Sequence, residues 1–335
     1  MIYVHVPFCR SFCTYCDFYS ELAPACRAGA ELPFAQWTED ICSEIEARRA
    51  EIAGTLSVNT LYVGGGTPSL LPPECLSRIV DALGYGPYDE FTVEVNPEDL
   101  VEKGPGYVRS LLSLGVNRIS MGVQSLDDGI LRWMNRRHDA AGARKAFRML
   151  PAGISRSVDL ITGIPGMTDE MLQRTVDEVV SWRPEHVSAY QLSIEEGSAL
   201  AGMISDGRVK EASEEQCRRQ YELLCGTLSA AGYHHYEISN WALPGREAVH
   251  NSAYWTRRPY VGLGPGAHSL RICPDGSQVR SWNSRTTSAW TVEGSEILTP
   301  EEIREEEIML LSRTDRGTIP ERDWFVADDI ISGMI

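Results

Sequence analysis

The sequence predicts an α/β fold in which a parallel sheet or an open barrel is built from six β/α units. Two observations support this prediction. Six short runs rich in β-branched and aromatic residues alternate with segments whose apolar residues recur at helical spacing. Successive runs lie about 30 residues apart, which is enough for the helical crossover that joins two parallel strands.

The elements can be predicted in chain order from these patterns. The predicted strands are residues 2–5, 60–63, 91–95, 118–121, 157–160 and 186–190. The clearest helical patterns between them are those of Trp37, Ile41, Ile45 and Ile52, and of Leu172, Val176, Val179 and Val180. The alternation of strand and helix suits a parallel sheet as well as an open barrel such as a partial (β/α)6 barrel.

The pattern changes after residue 200, and three units are predicted. Residues 1–200 are expected to form the parallel sheet or partial barrel. Residues 201–290 are expected to form a smaller mixed α/β extension, in which a helix precedes residues 233–290, a part rich in aromatic residues and glycine. Residues 291–335 are expected to begin a C-terminal helical segment.

Two helices beyond residue 200 have recognisable ends. Ser213 and Gln216 have the spacing of a capping box, and Gly232 is expected to end the helix that follows. Thr299 is a capping residue, a proline occupies the first helical position, and Glu302 completes a second box.

Composition excludes several classes of protein. The chain has 335 residues, of which 43% are hydrophobic, and 47 acidic against 31 basic residues give a net charge of −16. This charge disfavours nucleic acid or an anionic membrane as the main partner. The chain has no run of about 18 apolar residues, so no transmembrane helix is predicted. The amino terminus lacks the pattern of a signal peptide, so a cytoplasmic protein with reduced thiols is expected.

Three of the nine cysteines, Cys9, Cys13 and Cys16, lie within eight residues. Thiolates select zinc, copper(I) or iron–sulfur clusters. Three ligands on one loop suit a cubane iron–sulfur cluster in which one iron has no protein ligand and is open to another molecule. A zinc site completed by His5, or chance clustering of buried thiols, are the alternatives. The other cysteines are expected to be ordinary thiols: Cys26, Cys42, Cys75, Cys217, Cys225 and Cys273.

A glycine-rich turn and several polar residues follow the predicted strands. Gly64, Gly65 and Gly66 end the second strand without the lysine of a phosphate-binding loop. Polar residues occur at the ends of four later strands: Glu94, Gln124, Asp159 and Ser193. Because ligands bind at the carboxyl ends of parallel strands, these residues predict one binding site.

The spacing Cys-x3-Cys-x2-Cys after a first strand resembles the radical S-adenosylmethionine (SAM) superfamily. Further motifs resemble its oxygen-independent coproporphyrinogen III oxidase group over roughly residues 1–315. They are Tyr3-Val-His-Val-Pro-Phe-Cys9, Gly64-Gly-Gly-Thr-Pro-Ser69, Glu94-Val-Asn-Pro97, Asn117-Arg-Ile-Ser-Met-Gly-Val-Gln-Ser125, Asn135-Arg136 and Asp159-Leu-Ile-Thr-Gly-Ile-Pro-Gly166.

The resemblance implies a radical SAM barrel with a [4Fe–4S] cluster on Cys9, Cys13 and Cys16. It also implies SAM on the open iron and an electron donor such as flavodoxin or ferredoxin. SAM contacts carried over from the motifs are Tyr3, Tyr15, Gly65, Gly66, Thr67, Glu94, Gln124, Arg136 and Asp159. Family members usually continue beyond the length of this chain, so the helical segment is expected to be truncated.

Two departures from the oxidase favour the HemW branch of heme chaperones. The third cysteine is followed by Asp17-Phe18 rather than by another Cys-x-Cys ligand, and no long extension precedes Cys9. Three further motifs resemble HemW: Tyr236-Glu-Ile-Ser-Asn240, His250-Asn-Ser-Ala-Tyr-Trp255 and Gly262-Leu-Gly-Pro-Gly-Ala-His-Ser269. The implied function is to bind heme and deliver it to acceptor proteins.

A heme site would need an apolar slot, cations for the propionates and, where the protein ligates the iron, an axial ligand. The region 233–260 is the candidate slot, with His250 as ligand and Arg257 and Arg258 near the propionates. Three alternatives stay open: a radical SAM methyltransferase or cyclopropanase, a coproporphyrinogen oxidase, and a zinc-stabilised structural module.

Overall fold

The computed structural model describes residues 1–23, 33–287 and 289–335. Cys26, one of the expected ordinary thiols, lies outside them. The strands in these ranges are β1 (Ile2–Val6), β2 (Phe8–Cys9), β3 (Glu21–Leu22), β4 (Thr60–Gly65), β5 (Glu90–Val95), β6 (Arg118–Gln124), β7 (Ser155–Thr162), β8 (His186–Gln191), β9 (His234–Glu237), β10 (Asn240–Ala242), β11 (Val261–Leu263), β12 (His268–Ile272), β13 (Gln278–Asn283) and β14 (Val292–Leu298).

The α-helices in the same ranges are α1 (Phe34–Ala47), α2 (Arg49–Gly54), α3 (Pro73–Leu83), α4 (Pro97–Ser113), α5 (Asp128–Trp133), α6 (Ala140–Phe147), α7 (Asp169–Trp182), α8 (Ala199–Ser205), α9 (Glu214–Ala230), α10 (Val249–Trp255), α11 (Pro300–Leu311) and α12 (Ala327–Ser332). None of these helices is both long and apolar enough to cross a membrane.

Nine of the strands in the described ranges form one sheet in the order β11-β1-β4-β5-β6-β7-β8-β10-β9. Its six central strands are the six predicted ones, and these six run parallel to one another. Strands that follow each other among these six are also neighbours in space, so the sheet winds as part of a barrel. Within the described residues β1 and β8 do not pair, and the barrel stays open. The predicted α/β partial barrel is therefore confirmed.

The helical pattern that includes Ile52 is interrupted. The helix ends at Ala47, because Arg48 has the non-helical dihedrals φ −106° and ψ 16°, and a second short helix follows. The Arg48 guanidinium donates to the carbonyl oxygen of Gly262 (2.7 Å) and pairs with Glu51. The break therefore brings the charged Arg48 side chain to β11, a contact that the spacing of apolar residues does not predict.

The two predicted helix starts differ in detail. Ser213 accepts a hydrogen bond from the Gln216 backbone N–H, whereas the Gln216 side chain donates to the carbonyl oxygen of Met167 instead of closing a box. The box of Thr299 and Glu302 is complete. The capping prediction is therefore confirmed in full only for the later helix.

Residues beyond 200 extend the sheet at both edges. Strand β11 pairs in parallel with β1, and β10 pairs antiparallel with β8. Strands β12, β13 and β14 form a separate antiparallel sheet, so a strand precedes the helices of the C-terminal segment. A small apolar cluster around Trp324 packs α12 near the end of the chain. The three predicted units stay a prediction about domain boundaries.

Candidate functional site

A cavity of about 730 Å³ opens beside the carboxyl ends of the parallel strands. This volume is in the range of small-molecule sites. Its lining brings together eleven of the residues predicted for the site: Cys9, Cys13, Tyr15, Cys16, Gly65, Gly66, Thr67, Glu94, Gln124, Arg136 and Asp159. Ser193 also lines it, whereas Tyr3 and His250 lie outside the lining.

The three clustered cysteines lie in residues 9–18, here called the cysteine loop, which begins at Cys9, the last residue of β2. All three are partly buried free thiols. Burial raises the pKa of the Cys16 thiol to about 11, and the neighbouring Cys13 and Cys9 add to the rise. Burial also raises the pKa of Cys9, against a hydrogen bond from Thr67. Metal ligation requires the thiolate, so loading this loop with metal would release protons.

A single-ion zinc site is not favoured by the geometry. In the described ranges no three His, Cys, Asp or Glu side chains converge closely enough to hold one metal ion. His5, the proposed fourth ligand, has both ring nitrogens engaged. Its Nε2 lies 2.8 Å from the carbonyl oxygen of Tyr19 and its Nδ1 lies 2.9 Å from Tyr3 Oη.

The glycine turn at the end of β4 packs so closely against β1 and the chain that follows it that side chains at its glycines would not fit. Gly65 has φ +107°, and a Cβ there would lie 2.6 Å from the His5 ring. A Cβ on Gly66 would lie 2.8 Å from the carbonyl oxygen of Phe8 and 3.1 Å from Cys9 Sγ. The glycines therefore allow the strand end to approach the cysteine loop.

Glu94 is fixed by hydrogen bonds from this turn. Tyr62 Oη donates to its Oε1 at 2.6 Å, and the Gly65 N–H donates to its Oε2 at 3.1 Å. Burial raises the pKa of Glu94 to about 7, partly offset by the Tyr62 bond and reinforced by Asp159. A cationic ligand group would favour the ionised form of this carboxylate.

Asp159 lies on the neighbouring part of the cavity wall. Ser120 Oγ lies 3.0 Å from both of its carboxylate oxygens. Burial raises the pKa of Asp159, although the Arg118 charge and the serine hydroxyls oppose the rise. Arg118 is itself buried, lies 3.9 Å from Glu90 and donates to His186 Nδ1 at 3.2 Å.

Gln124 and Arg136 form the side of the cavity next to the cysteine loop. Gln124 has φ +63° and follows an irregularity in the pairing of β6 with β7, a strained geometry common at functional sites. Arg136 Nη1 donates to Cys13 Sγ at 3.5 Å. Burial alone would lower the pKa of Arg136, but Tyr15 and Cys13 raise it overall.

The two tyrosines predicted to contact SAM differ in position. Tyr15 lines the cavity, and burial raises the pKa of its hydroxyl. Tyr3 lies beneath the glycine turn, where its ring packs against those of His5 and Tyr62. Its position supports the turn rather than the cavity surface.

The residues predicted to bind heme are packed into the body of the protein. His250 is only 1% exposed, its Nδ1 lies 2.8 Å from Thr60 Oγ1 and its Nε2 lies 3.1 Å from Tyr254 Oη. Burial lowers the pKa of His250 to about 3. Arg257 is buried against Glu306, whereas Arg258 is exposed. Region 233–260 therefore presents neither His250 nor Arg257 at a surface slot.

Several further residues line the cavity that were not predicted as site residues, namely Tyr62, Asn96, Arg118, Ser120, Ser188 and Tyr190. A usable signal was present for some of them. Side chains alternate between the two faces of a strand, so a polar residue flanked by apolar ones points away from the helix layer. Val187-Ser188-Ala189 and Ile119-Ser120-Met121 have this pattern.

Comparison with known proteins agrees with this geometry. Residues 3–179 match the radical SAM superfamily. The heme chaperone HemW of Mycobacterium tuberculosis is 34% identical over 331 residues, which span 94% of this chain and 82% of that protein. The chain belongs to the HemW family of the radical SAM superfamily. HemW of Bacillus subtilis is also 34% identical, over 79% of this chain and 69% of its own length.

The fold of a solved structure matches as well. Coproporphyrinogen III oxidase (HemN) of Escherichia coli superposes with a TM-score of 0.76, covering 93% of this chain and 75% of its own. At 21% identity this likeness concerns the fold alone. Membership of the radical SAM superfamily implies a [4Fe–4S] cluster and SAM as cofactors.

Proposed function

We propose that this HemW-family chain is a heme chaperone that carries a [4Fe–4S] cluster on Cys9, Cys13 and Cys16 and binds SAM beside it. One observation carries the proposal: the three thiols, the glycine turn and the strand-end carboxylates all line one cavity. HemW relatives are named heme chaperones, so heme is the proposed cargo.

The donor set around the thiols supports a cluster. Thr67 Oγ1 donates to Cys9 Sγ at 3.5 Å, and Arg136 Nη1 donates to Cys13 Sγ at the same distance. Arg136 Nε is buried and has no hydrogen-bond partner in the described part of the chain. Hydrogen bonds and positive charge stabilise thiolate ligands. A reduced cluster, once bound, would supply one electron to SAM, with flavodoxin or ferredoxin as the proposed donor.

The polar groups on the cavity wall match the parts of SAM. Carboxylates suit ribose hydroxyls and a cationic amine, and a guanidinium suits a carboxylate. We assign the ribose to Asp159 and the methionyl amine to Glu94, whose neighbour Gly65 presents backbone to the cavity. Gln124 and Arg136 lie where they would hold the remaining polar groups of SAM.

For heme we propose the rim of this cavity in place of region 233–260. The cysteine loop exposes Phe12 and Phe18 by 49% and 68%, and Tyr190 across the cavity is 43% exposed. All three line the cavity. Exposed aromatic rings that line one cavity mark a binding surface, and they suit the apolar face of a porphyrin.

Anaerobic reconstitution followed by heme titration tests the proposal. The expected result is about four irons per chain and a shifted Soret band that saturates. Phe18→Ser should weaken this heme binding, and Ile272→Ser is a matched control because Ile272 is 44% exposed outside the cavity lining. Zinc in place of iron, or an equal loss in both variants, would contradict the assignment.

A further inference from the structure

We propose that Asn96 is a positioning residue that holds two hydrogen-bond donors against the sulfurs of Cys9 and Cys13, and so sets the reduction potential of the cluster. The inference rests on the cluster assignment above and goes beyond it. Asn96 lies between β5 and α4 and lines the cavity.

The two ends of the Asn96 amide contact the two donors. Its Oδ1 accepts from Arg136 Nη2 at 2.6 Å, and its Nδ2 donates to Thr67 Oγ1 at 3.4 Å. Arg136 then reaches Cys13 Sγ through Nη1, and Thr67 reaches Cys9 Sγ through its hydroxyl, both at 3.5 Å. One amide thus links two of the three thiols.

The direction of these hydrogen bonds follows from their chemistry. A guanidinium only donates, so the amide oxygen must face Arg136 and the amide nitrogen must face Thr67. Because the Thr67 oxygen accepts a hydrogen bond from Asn96 Nδ2, the Thr67 hydroxyl donates its proton to Cys9 Sγ. Both branches therefore present donors to sulfur, and donors to the ligating sulfurs raise the potential of an iron–sulfur cluster.

The position of Asn96 gives an independent reason for this role. It is the N-cap residue of α4, where asparagine normally accepts a hydrogen bond from the first turn, but its side chain makes no capping bond. Its backbone N–H donates to Ser69 Oγ, which donates to Asp99. The backbone is thus anchored, and the side chain is turned toward the thiols.

Gly122 leaves room for this junction. A Cβ at that position would lie 3.3 Å from Asn96 Oδ1 and 3.4 Å from Arg136 Nη2. The Gly122 carbonyl also accepts from Arg136 Nη2 at 3.0 Å. The guanidinium is therefore held from two sides, and the Asn96 amide is one of them.

The test is a redox titration of the reconstituted protein monitored by electron paramagnetic resonance. We expect Asn96→Ala and Thr67→Val each to favour the oxidised cluster about tenfold, a fall of about 59 mV for a one-electron couple. Thr67→Ser keeps the hydroxyl and should retain the wild-type potential. The double variant should fall by less than the sum of the single falls, because Asn96 acts partly through Thr67.

Asn117→Ala is the matched control. Asn117 also makes side-chain hydrogen bonds, to Phe91 and Tyr88. It immediately precedes β6, however, and so lies at the amino end of that strand, whereas the cavity lies at the carboxyl ends. Wild-type potentials in Asn96→Ala and Thr67→Val, with a full cluster present, would overturn the inference. Should Asn96→Ala assemble no cluster, equal potentials for Thr67→Val and Thr67→Ser would overturn it. Failure of the wild type to assemble a cluster refutes the proposed function instead.

Discussion

The raised pKa of Glu94 predicts how SAM affinity depends on pH. The carboxyl titrates at about 7 instead of 4.5 because it is buried. If the ionised form binds the SAM amine, the competent fraction is about one-eleventh at pH 6 and ten-elevenths at pH 8. The apparent dissociation constant scales inversely with this fraction, so affinity should rise about tenfold over that interval.

The assay is equilibrium binding of SAM to the reconstituted protein at pH 6, 7 and 8, compared with Glu94→Gln. The sign follows from the direction of the shift. Raising the pH removes the proton from Glu94, and the resulting charge attracts the ligand cation. Glu94→Gln cannot ionise, so its affinity should be weaker at pH 8 and should lack this tenfold dependence. Equal pH dependence in both proteins would refute the assignment of Glu94 to SAM.

Three further predictions follow from single side chains. Cys13→Ser should abolish the cluster absorbance while Cys42→Ser retains it, and a full cluster in Cys13→Ser would exclude that ligand. His250→Ala should leave the heme titration unchanged, and a weakened Soret band would contradict this. The same substitution should lower the free energy of unfolding by about 1–3 kcal/mol, because the buried partners of His250 lose their hydrogen bonds. Burial raises the pKa of Glu237 from 4.5 to about 8. As the pH rises from 4.5 to 8, the free energy of unfolding of the wild type should therefore fall relative to that of Glu237→Gln. Denaturation at several pH values measures this difference.

The six parallel strands were predictable because buried strands are short apolar runs, and their alternation with helices is typical of parallel pairing. Their ends were less predictable. Strand β7 begins at Ser155 and ends at Thr162, two residues beyond each predicted bound, because ladder hydrogen bonds continue past the apolar run. The break at Arg48 depends on contacts with Gly262, more than 200 residues away.

The candidate site shows the same division. The cysteines and glycines were visible from spacing alone, because their chemistry requires these residue types close together. Asn96 was overlooked because an asparagine before a helix is ordinarily a cap. His250 lies in a motif that resembles HemW, and Arg257 follows that motif. Nothing in the sequence indicates that Thr60 and Glu306 engage their side chains.

The most direct test of the central proposal is heme transfer by the reconstituted protein under anaerobic conditions. Heme-loaded protein is mixed with an apo heme acceptor, with and without SAM, and the Soret band of each protein is followed. The proposal predicts stoichiometric heme binding and loss of heme to the acceptor. With coproporphyrinogen, SAM and reductant, it predicts no protoporphyrinogen. Turnover of coproporphyrinogen, or failure to bind heme in a protein with a full cluster, would contradict it.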